Sequence, residues 1–362
     1  MLLTLRRFAY DLLHILFTAF KKLTNPMIQR KCMLLGCILS LSSALMAQDP
    51  HFSQYFTSPM SVNPALTGKS VEDWRGSINM RSQWWGESVK PYYTVTAALE
   101  KRLGSRESKG NYWGIGGMVI SDQSNGGILK NNYFSLTAAY HITLDKAGRH
   151  ALAAGLTGTY ANRILDPTRF KFQSQLGSMG FQRDIPANDP IAIAKNNYFD
   201  VSAGLSYQYA TETYGLHAGA ALFHVAKPKE GVYENTTYQV PRKTTLQAGG
   251  WFKAGVNNSI HISALGEMQG GNSIYTIGGV YKLSVGDELL RSVNLGAWER
   301  FGDAFYPYFG LEGQRWLGGF TYDFVQSGVK NYASVQSLEL SFVWKMGKAG
   351  TGSNASSAGF LY

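Results

Sequence analysis

Between Asn131 and Leu144 the chain alternates without a break. Phe134, Leu136, Ala138, Tyr140, Ile142 and Leu144 take the even positions. Tyr133, Ser135, Thr137, Ala139, His141 and Thr143 take the odd ones. A period of two sends an apolar row to one face of a strand and a mostly polar row to the other. At roughly 3.3 Å per residue the run measures about 40 Å, enough to cross a bilayer core at a steep tilt. The pattern recurs. It predicts strands over Trp74–Gln83, Tyr92–Leu103, Tyr112–Ser121, Asn131–Leu144, His150–Arg163, Asn197–Tyr209 and Tyr214–Val225. It continues over Arg242–Lys253, Ser259–Met268, Ser273–Leu283, Leu290–Phe301, Phe305–Gly313, Arg315–Gln326 and Val335–Met346. The three-to-four spacing of an amphipathic helix is absent.

Fourteen strands is an even number, which closes an antiparallel up-and-down transmembrane β-barrel with both chain ends on one side. Connection lengths test this independently. Barrels of this kind have short periplasmic turns and longer outer loops. The gaps after even strands are mostly short: Asp145–Arg149, Ala210–Thr213, Ala254–Asn258 and Ser284–Leu289. The four long gaps, Asp122–Lys130, Ile164–Asn196, Ala226–Pro241 and Ser327–Ser334, all follow odd strands. Gly104–Asn111 is a mild exception, and the outer gaps Gln269–Asn272 and Gly302–Ala304 are also short. The expected fold is all-β: a barrel over residues 74–346, preceded by an irregular segment, 48–73, and followed by a Gly/Ser-rich tail, 347–362.

Composition agrees. Charged residues make up 16%, aromatic residues 13%, and there are 40 glycines. No downstream run of about 18 apolar residues suggests a spanning helix. Residues 1–47 read as a secretory signal region. Arg30 and Lys31 precede the mostly apolar Cys32–Leu45, and Ala47 suits cleavage before Gln48. Met1–Pro26 is too long for a signal's basic region, so Met27 is the expected start. Both cysteines, Cys32 and Cys37, fall in the signal, and the mature chain is expected to hold neither disulfide nor thiol metal site. Leu34–Cys37 has the form of a lipoprotein processing site, but the apolar run continues past it, which favours simple cleavage. Residues 1–47 carry six of the 34 basic and one of the 24 acidic residues, so the mature net charge falls from +10 to +5. That excess, with no dense basic run, argues against nucleic-acid binding.

The segment 48–73 holds the turn formers Asp49-Pro50, Ser58-Pro59, Asn63-Pro64 and Thr67-Gly68. It also holds Phe52, Tyr55, Phe56, Met60, Val62 and Leu66. Solvated linkers rarely carry that apolar load, so a packed plug or rim segment is expected.

No metalloprotease helix, phosphate loop, dinucleotide fingerprint or nucleophile elbow is present. No catalytic, cofactor or metal residue is assigned. His141, His217 and His261 sit on the row assigned to the lumen. They serve either as polar lining or, if they converge, as a metal or hydrolase site. Arg81, Glu100, Glu267, Asp323 and Glu339 share that row, and could brace a narrow barrel or tune a wider pore. Arg169, Lys171 and Arg183 punctuate the longest loop, which is either a variable surface loop or a partner site.

Two stretches carry a specific resemblance. The first is Gln48-Asp49-Pro50, Phe52-Ser53-Gln54-Tyr55, Pro59, Asn63-Pro64-Ala65 and Thr67-Gly68, followed by Arg81, Gln83 and Trp84. The second is Gly319-Phe320-Thr321-Tyr322-Asp323, followed by a terminal strand with Glu339. The chain resembles the PorP/SprF outer-membrane proteins of the type IX secretion system from about Gln48 to Met346. The resemblance implies a fourteen-stranded barrel in the bacterial outer membrane. It implies a non-enzymatic role in exporting or retaining large surface proteins, gliding adhesins among them. It also implies partners: cargo C-terminal domains, periplasmic secretion components and a peptidoglycan-binding lipoprotein. The motif and partner-binding candidates are Gln54, Tyr55, Pro59, Asn63, Pro64, Ala65, Gly68, Arg81, Gln83, Trp84, Tyr322 and Asp323. Segment Gln54–Gly68 is expected at or inside the periplasmic opening, within reach of partners, with cargo on the outer loops. The alternatives are a passive outer-membrane solute channel, which requires an open lumen, and a barrel enzyme, which requires the histidines.

Overall fold

The computed structural model describes residues 49–70, 72–85, 90–104, 110–178, 180–182, 184–185, 194–230, 238–255, 257–287, 289–328 and 336–347. The signal region, its two cysteines and cleavage site, Arg183, and the Gly/Ser tail beyond Gly347 lie outside the described residues, as does the Arg169 side chain.

Fourteen antiparallel strands close into one barrel. In chain order they are β1 (Trp74–Trp85), β2 (Tyr92–Leu103), β3 (Tyr112–Ser124), β4 (Leu129–Thr143), β5 (His150–Leu165), β6 (Ala194–Ala210) and β7 (Tyr214–Phe223). Then follow β8 (Lys243–Lys253), β9 (Ser259–Gln269), β10 (Asn272–Ser284), β11 (Ser292–Arg300), β12 (Ala304–Glu312), β13 (Trp316–Val325) and β14 (Gln336–Met346). Each strand pairs with its neighbours in sequence, and β1 closes the ring against β14, with Ile78 opposite Phe342 and Arg81 opposite Glu339. Closure leaves no unpaired edge, which a lipid-exposed sheet requires. Among the described residues, no helix is long and apolar enough to cross a membrane.

The alternation decides which side chain meets lipid. Leu136 is 76% exposed and Phe199 78%. Their strand neighbours Ser135, Thr137, Asp200 and Ser202 are buried inside. Outward aromatic residues gather near the strand ends, among them Trp113, Tyr214 and Trp344 at one end and Trp85, Tyr93 and Tyr275 at the other. Outer-membrane barrels place such girdles at the two interfaces. A charge on this face should be costly. Leu136→Arg, near the middle of β4, is expected to lower stability by about 2–4 kcal/mol. Urea titration of the barrel refolded into vesicles measures it, and a midpoint equal to wild type would contradict a lipid-facing Leu136.

Long connections join β5 to β6, β7 to β8 and β13 to β14, all at one end. The predicted long gap between β3 and β4 contracts. Both strands run on, and a tight turn at Asn125–Gly127, with positive φ at all three residues, joins them. At the same end β9 and β10 meet through Gly270-Gly271, both with positive φ, the geometry that suits a two-residue hairpin. Strand β7 stops two residues earlier than its alternation predicts, because His224 adopts φ +55° and turns inward. The β5–β6 connection carries single 3-10 turns at Pro167–Arg169 and Gln173–Gln175 and a short hairpin pairing Leu176-Gly177 with Gly180-Phe181. Lys171 Nζ lies over the Phe181 ring there.

Candidate functional site

The site is the lumen, and what fills it is the chain's own irregular segment. Residues 49–70 fold as three single turns: Tyr55–Thr57, Pro59–Val62 and Pro64–Leu66. Pro59 and Pro64 each open a turn, where a missing N–H costs nothing. Asn63 caps the last turn by accepting from Ala65 N at 2.9 Å. Its amide then donates to the Leu205 carbonyl of β6 at 2.9 Å. From Ser53 to Thr67 almost every residue is buried.

The two sequence motifs, about 270 positions apart, form one hydrogen-bonded centre. Asp323 on β13 accepts from Arg81 Nη2 of β1 at 2.9 Å and from Arg300 Nη2 of β11 at 2.8 Å. Ser53 Oγ donates to the same carboxylate at 2.9 Å. The Ser53 hydroxyl in turn accepts from Arg81 Nη1 and, at 3.2 Å, from Arg300 Nη1. Glu339 on β14 accepts the backbone N–H groups of Ser53 at 2.7 Å and Gln54 at 3.0 Å. Gln54 completes the set: its Nε2 donates to the Glu339 carbonyl at 2.9 Å, and its Oε1 accepts from Ser341 Oγ at 2.6 Å. Two guanidinium groups and two carboxylates thus neutralise one another in a site closed to solvent, where an unpaired charge would be untenable.

A second anchorage is apolar. Phe56 stacks on Trp298 of β11 at 4.9 Å and meets Tyr308 of β12 edge-on at 5.3 Å. Tyr55, Val62, Leu265, Val280 and Tyr306 complete this cluster. Tyr55 Oη and Ser263 Oγ hydrogen-bond at 2.5 Å.

A third is steric. Glycines of β3, β5 and β6 let the segment's backbone approach the wall. A Cβ on Gly155 would lie 2.5 Å from Ala65 N, and one on Gly204 would overlap the Asn63 side chain. Gly68 itself has φ +74°, and its own Cβ would meet Gly114 Cα at 2.5 Å. This explains why glycine serves at the end of the motif. Its N–H donates to Glu100, which also pairs with Arg75 at 2.6 Å.

A fourth anchorage holds the segment's start near the long-loop end. His224 Nε2 lies 2.7 Å from Asp49, and His224 Nδ1 2.9 Å from Asp200 of β6. Burial pulls the imidazolium down, but Asp49 and Asp200 outweigh it and raise His224 from 6.5 to about 9. Asp49 moves the opposite way: burial would raise it, yet His224 and Lys243 hold it below its usual 3.8. The raised His224 contributes stability that is full below pH 6.5 and lost as pH passes about 9. The depressed Asp49 contributes stability present above pH 3.8 and lost in acid. The contact therefore spans neutral pH. Comparing wild type with His224→Gln in urea titrations, the gap between midpoints should be full near pH 6 and shrink as pH rises toward about 9. A gap that does not change with pH would contradict the ion pair.

The remaining predicted residues separate from this centre. Trp84 sits at a bulge with φ +59° and stacks edge-on with Tyr92 at 5.2 Å, beside Gln83 at the long-loop end of β1. Tyr322 faces the outer side, edge-on to Phe324 at 5.0 Å. His141 Nε2 bonds the Thr67 carbonyl at 2.8 Å, His261 pairs with Ser259, and His217 lines a small cavity beside Tyr55 and Gln247. Among the described residues, no group of His, Cys, Asp and Glu is arranged to hold a metal ion. Arg300, Asn79 and the inward aromatic residues Trp298, Tyr306 and Tyr308 were missed by sequence reasoning. A signal existed in β12: Phe305, Tyr306, Tyr308 and Phe309 put aromatic rings on both faces, which is a demand for apolar contact on both sides.

A match to the family described as "Type IX secretion system membrane protein PorP/SprF" spans residues 44–344. The chain belongs to the PorP/SprF family. It is thus an outer-membrane protein of the type IX secretion class, and its barrel carries the apolar belt that such a location demands. No curated protein matches the sequence. Solved structures similar to this PorP/SprF barrel include the toluene transporter TbuX of Ralstonia pickettii, at 12% identity and TM-score 0.46 over 79% of this chain and 92% of that one. A Pseudomonas aeruginosa FadL homologue follows at 10% identity and TM-score 0.42, over 75% and 90%. The Acinetobacter baumannii outer membrane protein Omp33 stands at 9% and 0.39, over 76% and 98%.

Proposed function

We propose that this PorP/SprF protein is a non-enzymatic, non-conducting scaffold of the secretion machinery. Its long outer loops hold a secreted surface protein through that protein's C-terminal domain. Its short-turn end meets periplasmic secretion components. The observation that supports this reading over a solute channel is the lumen segment, tied to β1, β11, β13 and β14 by the Ser53–Asp323–Arg81–Arg300–Glu339 centre. A passive channel needs an open bore, and a segment held on four sides does not offer one. Residues Gln54, Tyr55, Asn63, Pro64 and Ala65 spend their contacts on the wall, so their part in partner binding is indirect: they hold the ends in shape. The β5–β6 and β7–β8 connections are the surfaces left for cargo.

Cross-linking on intact cells, followed by purification of the tagged barrel from outer membranes, tests the reading. Co-recovery of a secreted protein cross-linked through its C-terminal domain, together with periplasmic secretion components, is expected. Recovery of the barrel alone would overturn it.

A further inference from the structure

A second feature of the lumen adjoins the fourth anchorage. A cavity of about 70 Å³ lies between the segment and the wall of β3–β8. Its body is mostly apolar: Met60, Met118, Ile120, Tyr133, Tyr198 and Phe223 line it, together with serine and threonine side chains of the segment and of β4–β6. Its far end is acidic. Asp49, Asp200 and, through Lys243, Glu267 face two cations, Lys243 and the imidazolium of His224. The local sum is one negative charge. The excess has an address: Asp200 is 4% exposed, and its Oδ1 is buried with no hydrogen-bond partner while Oδ2 pairs with His224. A buried carboxylate oxygen without a donor is costly, and a ligand that supplies the donor removes the cost. The neighbourhood already accommodates one primary ammonium in this way, since Lys243 Nζ lies 4.9 Å over the Phe223 ring.

We propose that this cavity is a binding site for a primary alkylammonium group, its short aliphatic stem between Met118, Tyr133 and Tyr198 and its head at Asp200. Size limits the stem. An apolar cavity of about 150 Å³ holds benzene, so this one takes a few carbons. A free alkylamine and the lysine side chain of a polypeptide share the required chemistry. Val240, from the β7–β8 connection, packs on Tyr198 and Ala161 beside Tyr133. The aromatic wall therefore lies directly beneath a long loop. The inference stands apart from the secretion reading, since either can fail alone.

Calorimetric titration of the purified full chain in detergent tests it, with n-butylammonium as probe. Saturable binding is expected. 1-Butanol and butyrate, of the same length without the cation, should bind at least about tenfold more weakly, the worth of one charged hydrogen bond. Asp200→Asn should weaken n-butylammonium by a similar factor. Met118→Phe should abolish binding by filling the cavity, in a barrel that keeps its folded, heat-modifiable gel mobility. Nα-acetyl-lysine methylamide separates the sources. Binding at least as tight as n-butylammonium assigns a polypeptide lysine; binding weaker by about an order of magnitude assigns a free amine. No binding of n-butylammonium, equal binding of 1-butanol, or binding indifferent to Met118→Phe would overturn the proposal.

Discussion

Asp323→Ala is expected to destabilise the folded barrel by about 3–5 kcal/mol, the cost of removing one partner from a buried ion pair. The side chains of Arg81 and Arg300 are 1% and 3% exposed, so water does not replace the lost carboxylate. Ser53 loses its acceptor in the same step, Arg81 keeps only the Glu339 carboxylate at 3.5 Å, and Arg300 keeps only that of the partly exposed Asp303. Two consequences follow. The urea midpoint of the refolded barrel falls, and the segment loosens, so that trypsin gains access to Lys69. Replacing the charges together, as Arg81→Met and Arg300→Met with Asp323→Leu and Glu339→Gln, should cost less per residue, because no fully buried charge is then stranded. A single Asp323→Ala barrel as stable as wild type would show that the centre is not a structural clamp.

Removal of residues 49–68 is expected to convert a silent barrel into a conducting one. Fourteen strands enclose a bore wider than the eight-stranded case, in which side chains alone suffice to fill the interior. Here the segment supplies the missing filling, with Phe56 against Trp298 and Asn63 against β6. In planar bilayers the wild-type chain should show no discrete conductance steps, and the deletion should show them. Because the deletion also strips the apolar cluster of Tyr55, Phe56 and Val62, a milder change serves as a second arm. Gly155→Val places a branched side chain where Pro64 and Ala65 now pass, and displaces the segment without touching the wall's backbone ladder. Steps from the unmodified chain, or none from either variant, would contradict a sealed lumen.

The strands were legible because the forces that set them act residue by residue. Lipid on one side and a wet or polar filling on the other impose a period of two along every crossing, and closure leaves an even count. All fourteen predicted strands are present, most within three residues of their predicted ends, and the inward row of Arg81, Glu100, Glu267, Asp323 and Glu339 is as expected. The irregular, apolar-rich segment was legible as something that must pack, since its composition could not remain solvated. Its partners were not.

The chain by itself determined which residues face lipid and which face inward, because that choice needs no more than the neighbouring residue. The tertiary structure alone decided what the inward row is for. Ser53 meets Asp323 across 270 positions, and His141, His217 and His261 end on different partners although they share a row. Such contacts depend on the angular order of strands around a closed ring and on which glycines let a second backbone approach, neither of which leaves a periodic trace in the sequence.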